Sequence, residues 1–318
     1  YQKGVMNKPS VSTTYNGLSR IKLFWALSRT PHGLLDMATP AFAALLWIGG
    51  FPSLYVMVLG LVTTFAGYTA VYALNDVVDH RLDREKLKRG GLQDYDDYLD
   101  AVLVRHPIAQ GFLSFKEGLA WSLAWGILAL LGAYMLNPVC AAIFLAGALL
   151  ESVYCLLWRV SHFRTLVSGG VKTSGALAGV FAVDPNPSPV FIFTLFLCLF
   201  FWEIGGQNIP ADWTDVEEDR QLHAQTIPVR FGLDRANFII LWSIVLSMIL
   251  TVILFSVSRV RFEIPYILAA MVTGAYLLLT PAVKLYRTKE RREVMTLFNK
   301  ASYYPVCLLA IVTIKSML

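Results

Sequence analysis

The sequence predicts an all-α integral membrane protein with nine transmembrane helices in one bundle, and three observations carry that expectation. Hydrophobic residues make up 56% of the 318 residues and charged residues only 15%, against roughly 25% charged in a soluble domain. Mean hydropathy is +0.56. The apolar residues gather into nine stretches near the ~20 residues that a helix needs to cross a bilayer. Too little charge is left to cover a water-facing surface, which excludes a disordered chain, a collagen-like fibre and an ordinary cytosolic enzyme.

The stretches fall at about 31–48, 53–74, 114–135, 138–158, 163–183, 189–210, 236–257, 263–284 and 295–316. Lipid offers backbone amides no partner, so each stretch should be a helix. Residues 1–30 read as a cytoplasmic N-terminal segment and 31–318 as a single membrane domain. Met6 reads as the natural first residue, with no cleaved signal peptide. With the N-terminus inside, nearly all Lys and Arg fall on inner segments, and only Arg259, Arg261 and Lys315 fall outside. That asymmetry orients the chain N-in and C-out. It also explains the net charge of +5 without nucleic acid as a partner. Cys140, Cys155, Cys198 and Cys307 lie inside apolar stretches with no metal-site spacing, and read as small buried hydrophobes. Most tryptophans sit near span ends, as belt anchors do.

Two long inner segments, around 75–113 and 211–235, hold the strongest signal, an internal repeat. NDVVDHRLDR at 75–84 matches ADWTDVEEDR at 211–220, with Asp76 on Asp212, Asp79 on Asp215, Asp83 on Asp219 and Arg84 on Arg220. Each motif ends an even-numbered span, so both reach the same membrane face. Asn75, Asp79 and Asp83 stand at i, i+4 and i+8, on one helix face, and Asp215 and Asp219 repeat that spacing. Like charges so placed repel and, near helix C-termini, also oppose the helix dipole. They call for a counter-charge. Mg²⁺, a hard cation that takes one or two carboxylates and completes its shell with water and phosphate oxygens, suits them. A diphosphate bridged between the two clusters is the natural occupant. One motif alone reads equally well as a solvated, charge-laced loop; the matched pair does not.

NDVVDHRLD, then RHPIAQG at 105–111 and DWTDVEEDRQLHAQTIPVRFG at 212–232, resemble the signatures of UbiA-type intramembrane prenyltransferases. The resemblance covers most of the chain. It implies nine helices with both motifs on cytoplasmic-side loops of helices 2 and 6. It also implies two Mg²⁺ ions, one held by Asn75, Asp79 and Asp83 and one by Asp215 and Asp219, gripping the diphosphate of an isoprenyl donor. Two departures stand out. Residues 87–104 insert a polar, Asp- and Tyr-rich segment, which fits a lid over the donor or a solvated excursion equally. His106 also separates Arg105 from Pro107, where the family has Arg next to Pro.

Further cations should ring a leaving diphosphate. Lys172, among the glycines of span five, is the first candidate, since an ionisable residue in a span suggests function; snorkelling to the interface is its rival. Tyr154 and Arg159 resemble the family's Tyr/Arg segment at the inner end of span four. Arg84, Arg105, Arg220 and Arg29 lie on the appropriate face, where topology alone also places arginine. Asp76 and Asp212, beside the expected metal ligands, join the diphosphate- or substrate-binding candidates. Gln207 and Asn208, in the last turns of span six, are placed to orient a ligand or the acceptor, and Glu203 lies deeper and needs a partner or a proton. Asp79, Asp83, Asp215, Asp219 and Lys172 form the expected catalytic set. No histidine makes a metal-ligand pattern.

The expected reaction is Mg²⁺-dependent ionisation of a polyprenyl diphosphate to an allylic cation, captured by an acceptor drawn from the membrane or its surface. An aromatic quinone precursor leads. A glycerol-phosphate lipid is second and a haem or chlorophyll precursor third. A carrier for phosphorylated lipids or divalent ions is the rival of another class, although carriers tend to bind near the bilayer midplane.

Overall fold

Helix boundaries in the computed structural model, which describes residues 17–89 and 103–318, follow proline and charge signals closely. The elements are α1 (Gly17–Leu27), α2 (Thr30–Asp36), α3 (Ala38–Ile48), α4 (Leu54–Lys88), α5 (Phe115–Leu136), α6 (Pro138–Leu156), α7 (Arg164–Val183) and α8 (Pro189–Glu203). A π-helical turn (Ile204–Asn208) then leads into α9 (Ile209–Thr214), α10 (Val216–Gln221), α11 (Ile227–Phe231) and α12 (Leu233–Ser256). Last come α13 (Ile264–Gly274), a second π turn (Ala275–Leu279), α14 (Thr280–Thr288) and α15 (Arg291–Met317). Residues 90–102, most of the polar insertion, lie outside the described residues, as does 1–16 of the N-terminal segment.

Eight helical stretches among the described residues are long and apolar enough to cross a membrane, not nine. The first expected span, 31–48, is broken into α2 and α3 at Met37. Pro40 has no N–H to give to the Asp36 carbonyl, so the i→i−4 ladder stops there. Arg29, in left-handed conformation with φ 43°, separates α1 from α2 in the same region.

A second correction concerns the first motif, which lies within α4 rather than on a loop. Nothing after Gly67 interrupts that helix: neither Gly nor Pro occurs until residue 90, and Lys86 and Lys88 in its last turn complement the dipole. Its 35 residues run about 52 Å at 1.5 Å per residue, well beyond a ~30 Å hydrocarbon core. The acidic end therefore projects past the apolar layer as a rigid rod. The second motif is split: Asp212 is in α9, Asp215 is the hinge between α9 and α10, and Asp219 is in α10.

The main core joins α3, α7, α8, α12 and α15, with Trp202, Phe42, Phe191, Phe255 and Tyr304 fully buried. α4 runs beside α5 and α6, and α3 beside α7. Helix α7 meets α3 so closely at Gly179 that a Cβ there would lie 2.5 Å from the Pro40 carbonyl oxygen. Leu54, Val58, Leu61, Leu123, Leu131, Leu149, Trp242 and Ile249 are each half exposed or more. On a polytopic helical bundle this is the lipid-facing surface.

Candidate active site

A cavity of about 780 Å³ runs between α4, α6, α7 and the α8–α10 segment. At one end it is lined by Asn75, Asp76, Asp79, Asp83 and Lys86 from α4 and by Asp212, Asp215 and Asp219 from α9 and α10. The two motifs therefore share one chamber. Lys86 links them directly: its Nζ is 3.4 Å from Asp219 Oδ1 and 4.8 Å above the Trp158 ring. Arg164, at the start of α7, donates to Asp212 Oδ1 at 2.7 Å and its guanidinium lies 4.1 Å over the Tyr154 ring. Asn208 Nδ2 donates to Tyr154 Oη at 3.0 Å. Asn75 receives a hydrogen bond from Arg29 at 3.3 Å and donates to Glu151 at 2.5 Å.

The loop after the insertion closes one wall. His106, at φ 49°, places Nδ1 2.7 Å from Asp76 Oδ1 and 2.8 Å from Asp83 Oδ2. Ile108 and Leu113 fix that loop by packing on Leu23, Leu27 and Val77. Burial disfavours a charge on His106, yet the Asp83 and Asp76 carboxylates outweigh it and hold the imidazole above its usual pKa. A single Nδ1 proton serves only one carboxylate with good geometry, and it goes to Asp76.

The carboxylates are under-satisfied. Asp76 Oδ2 and Asp212 Oδ2 are buried without a hydrogen-bond partner, and Asp83 Oδ2 and Asp219 Oδ1, equally buried, have only their ion pairs with His106 and Lys86. Burial pushes the Asp219 carboxyl up to about 7, with Lys86 offsetting only part of it. Buried anionic oxygens from two chain segments around one chamber are the donor set of a hard divalent cation. The residues present thus fit Mg²⁺.

Beyond the acidic end the lining turns apolar. Met57, Gly60, Thr64, Gly67 and Val71 form one stripe of α4, facing Leu136, Cys140, Phe144 and Ala182 across a groove. From Asp79 to Met57 this stripe extends about 33 Å along the helix.

Of the residues singled out from sequence, Asn75, Asp76, Asp79, Asp83, Arg105, Tyr154, Lys172, Asn208, Asp212, Asp215 and Asp219 all line the cavity. Arg84, Arg159 and Arg220 do not. Arg84 is exposed. Arg159 pairs with Glu85 at 2.7 Å and donates to the Leu222 carbonyl, and Arg220 pairs with Glu217. Lys172 sits deeper, 2.6 Å from Asp36 and 3.0 Å from Tyr72 Oη. Lys86, Arg164, His106, Glu151 and Asp36 are cavity or near-cavity groups that sequence reasoning passed over. Lys86 had a legible signal, since it stands at i+7 from Asp79 and i+3 from Asp83 on a helix that was expected to have ended.

Fold and site together define a polytopic α-helical membrane protein with a carboxylate-rich mouth on an apolar groove. The model of the UbiA prenyltransferase family matches residues 37–303, and the chain belongs to that family of membrane transferases. It is 24% identical over 216 residues to a 4-hydroxybenzoate octaprenyltransferase of Shewanella woodyi, covering 67% of this chain and 70% of that one. The same figures relate it to the 4-hydroxybenzoate octaprenyltransferase of Vibrio parahaemolyticus. Among solved structures, an apo UbiA homologue from Aeropyrum pernix superposes with a TM-score of 0.71 at 18% identity, over 90% of this chain and 98% of that one. A digeranylgeranylglyceryl phosphate synthase gives 0.67 at 17% identity, over 94% and 99%. A UbiA homologue from Archaeoglobus fulgidus bound to DMAPP and Mg²⁺ gives 0.63 at 17%, over 92% and 99%.

Proposed function

We propose that this chain transfers an isoprenyl group from a polyprenyl diphosphate to an aromatic quinone precursor, with Mg²⁺ and with release of diphosphate. One observation carries the reading: a single cavity joins the carboxylates of both motifs to a long apolar groove, matching a charged head and a hydrocarbon tail end to end. Asn75, Asp79 and Asp83 would hold one Mg²⁺, and Asp215 and Asp219 a second. Bound there, the ions supply neutralisation of the diphosphate as negative charge develops on it.

The chain's own residues supply the remainder. Lys86 and Arg164 bring cationic groups to the acidic end, where charge on the leaving oxygen is best stabilised by preplaced groups. The Asn75 side chain is fixed by Arg29 and Glu151. The apolar walls keep water from the allylic cation formed as the C1–O electron pair leaves with diphosphate. A ring carbon of the acceptor then bonds to C1, and loss of the ring proton restores aromaticity. By the Lys and Arg asymmetry, the mouth opens to the cytoplasm.

The relatives named as 4-hydroxybenzoate octaprenyltransferases support the aromatic acceptor. The fold shared with a digeranylgeranylglyceryl phosphate synthase keeps a glycerol-phosphate lipid as the second reading. Purified protein in nanodiscs, given Mg²⁺ and geranyl diphosphate, is expected to release diphosphate with 4-hydroxybenzoate and not with a glycerol-phosphate ether. The reverse preference makes the lipid the acceptor, and no release with either removes the transfer reading.

The groove makes a separate prediction. Gly60 shares the cavity-facing stripe with Thr64, Gly67 and Val71, and a Cβ there meets nothing within 4 Å. It stands about 28 Å from Asp79 along α4. Gly60→Phe should leave geranyl diphosphate turnover within about twofold while sharply reducing use of octaprenyl diphosphate, because a large side chain placed in open groove blocks only a long tail. Product chain length by mass spectrometry reads the outcome, and unchanged use of octaprenyl diphosphate would mean that the tail takes another route.

A further inference from the structure

Deeper than the acidic mouth, a second polar cluster adjoins the same cavity, and all its members but Asp36 line it. Lys172 and Ser168 stand at i+4 and i on one face of α7, His32 and Asp36 come from α2, Tyr72 from α4 and Glu203 from the end of α8. Most of these groups satisfy one another. The Lys172 ammonium lies 2.6 Å from Asp36 Oδ2 and also donates to Tyr72 Oη, whose own hydroxyl donates to Asp36. Glu203 differs. Ser168 Oγ donates to its Oε1 at 2.7 Å, but its Oε2 is buried with no hydrogen-bond partner. The residue is 5% exposed and lines the cavity.

A buried carboxylate oxygen left without a donor is costly, and this one is firmly held. Helices α7 and α8 meet so tightly that a Cβ on Gly169 would fall 2.4 Å from the Phe200 ring. The π-helical turn that follows Glu203 is a feature common at functional sites. The nearby cation is already engaged by Asp36, Glu203 itself lines the cavity, and the carboxylates around it, Asp36 and Glu151, outnumber the Lys172 ammonium. An anionic group there would be repelled. A neutral O–H donor would complete the set.

We infer that Glu203 reads the acceptor: its Oε2 accepts a hydrogen bond from a hydroxyl of the acceptor and makes that hydroxyl the determinant of specificity. The inference rests on the transfer reading above and adds to it the group by which the acceptor is recognised. A site built to bond an O–H rejects the analogue that lacks it, because its own polar atom is then left bare.

The test pairs 4-hydroxybenzoate with 4-methoxybenzoate, with binding to nanodisc-embedded protein measured by calorimetry. The wild-type protein should prefer the hydroxyl compound by about 10- to 100-fold, the size of a hydrogen bond to a charged group. In Glu203→Gln the amide oxygen can still accept from Ser168, and the NH₂ then donates where the carboxylate accepted. The preference should vanish while KM for geranyl diphosphate stays within about twofold. Glu203→Asp, shorter but still anionic, should weaken binding and keep the preference, which separates recognition from a general loss of packing. An unchanged preference in Glu203→Gln overturns the inference, as does wild-type protein that binds both compounds equally or neither. Wild-type protein that discriminates in binding yet releases no diphosphate would instead sink the transfer reading, so the two failures are distinguishable.

Discussion

Asp79→Ala and Asp215→Ala should each lower turnover by about a thousandfold or more while leaving the bundle folded. The size follows from what each carboxylate faces. Both line the chamber that the proposed reaction assigns to the donor diphosphate, and loss of a single preorganised group that stabilises developing charge costs about 10²- to 10³-fold. A metal ligand should cost at least as much. The sign of the stability effect separates this from damage to the fold. Asp79 stands at i−4 to Asp83 on α4, and like charges at that spacing repel. Removing one relieves a repulsion that His106, beside Asp83, offsets only in part, so the metal-free variant should melt no lower than the wild-type protein. Added Mg²⁺ should raise the wild-type melting temperature by mass action and raise that of either variant much less. Melting curves with and without Mg²⁺, beside the diphosphate assay, check both halves. Full activity in the two variants would dismiss the metal assignment.

The register of the motifs was legible because helical spacing is a local property. Asn75, Asp79 and Asp83 at four-residue intervals must share a face wherever the helix goes, and two matching stripes at the ends of even-numbered spans had to reach the same side. Where α4 ends was less legible. Reading the apolar run alone stops the helix near residue 74, but helix propensity and the absence of Gly and Pro carry it to Lys88, which brings Lys86 onto Asp219. The break at Met37 was hidden inside a stretch long enough to read as one span, although Asp36 and Pro40 signal it. Arg84, Arg159 and Arg220 show a different limit. The positive-inside rule places arginine on a membrane face but does not say which way it points; these three turn to surface acids or to solvent. Arg164, on the same face, turns inward to Asp212. The partner of Lys172 lies 136 residues away in sequence, and no local pattern in the chain links the two.

That distant pair sets the second large effect. Lys172→Met leaves Asp36, 3% exposed, as a buried carboxylate without its cation, and breaking a buried pair by removing one partner costs about 3–5 kcal/mol. The double variant Asp36→Asn/Lys172→Met removes both charges together and should recover most of that stability, since a buried pair replaced as a unit is often neutral. Unfolding in detergent, followed for both single variants and the double, measures the coupling. The same set tests whether Lys172 also serves the donor. Its partner Tyr72 precedes Asp79 by about 10 Å along α4, and Asp36 already holds the ammonium at 2.6 Å. If the lysine only braces α2 against α7, the double variant regains stability and donor KM together. If it reaches the diphosphate, as an ionisable residue within a span suggests, stability returns in the double variant and donor KM stays high. A single variant as stable as the wild-type protein would mean that water already reaches the pair, so that neither charge is truly buried.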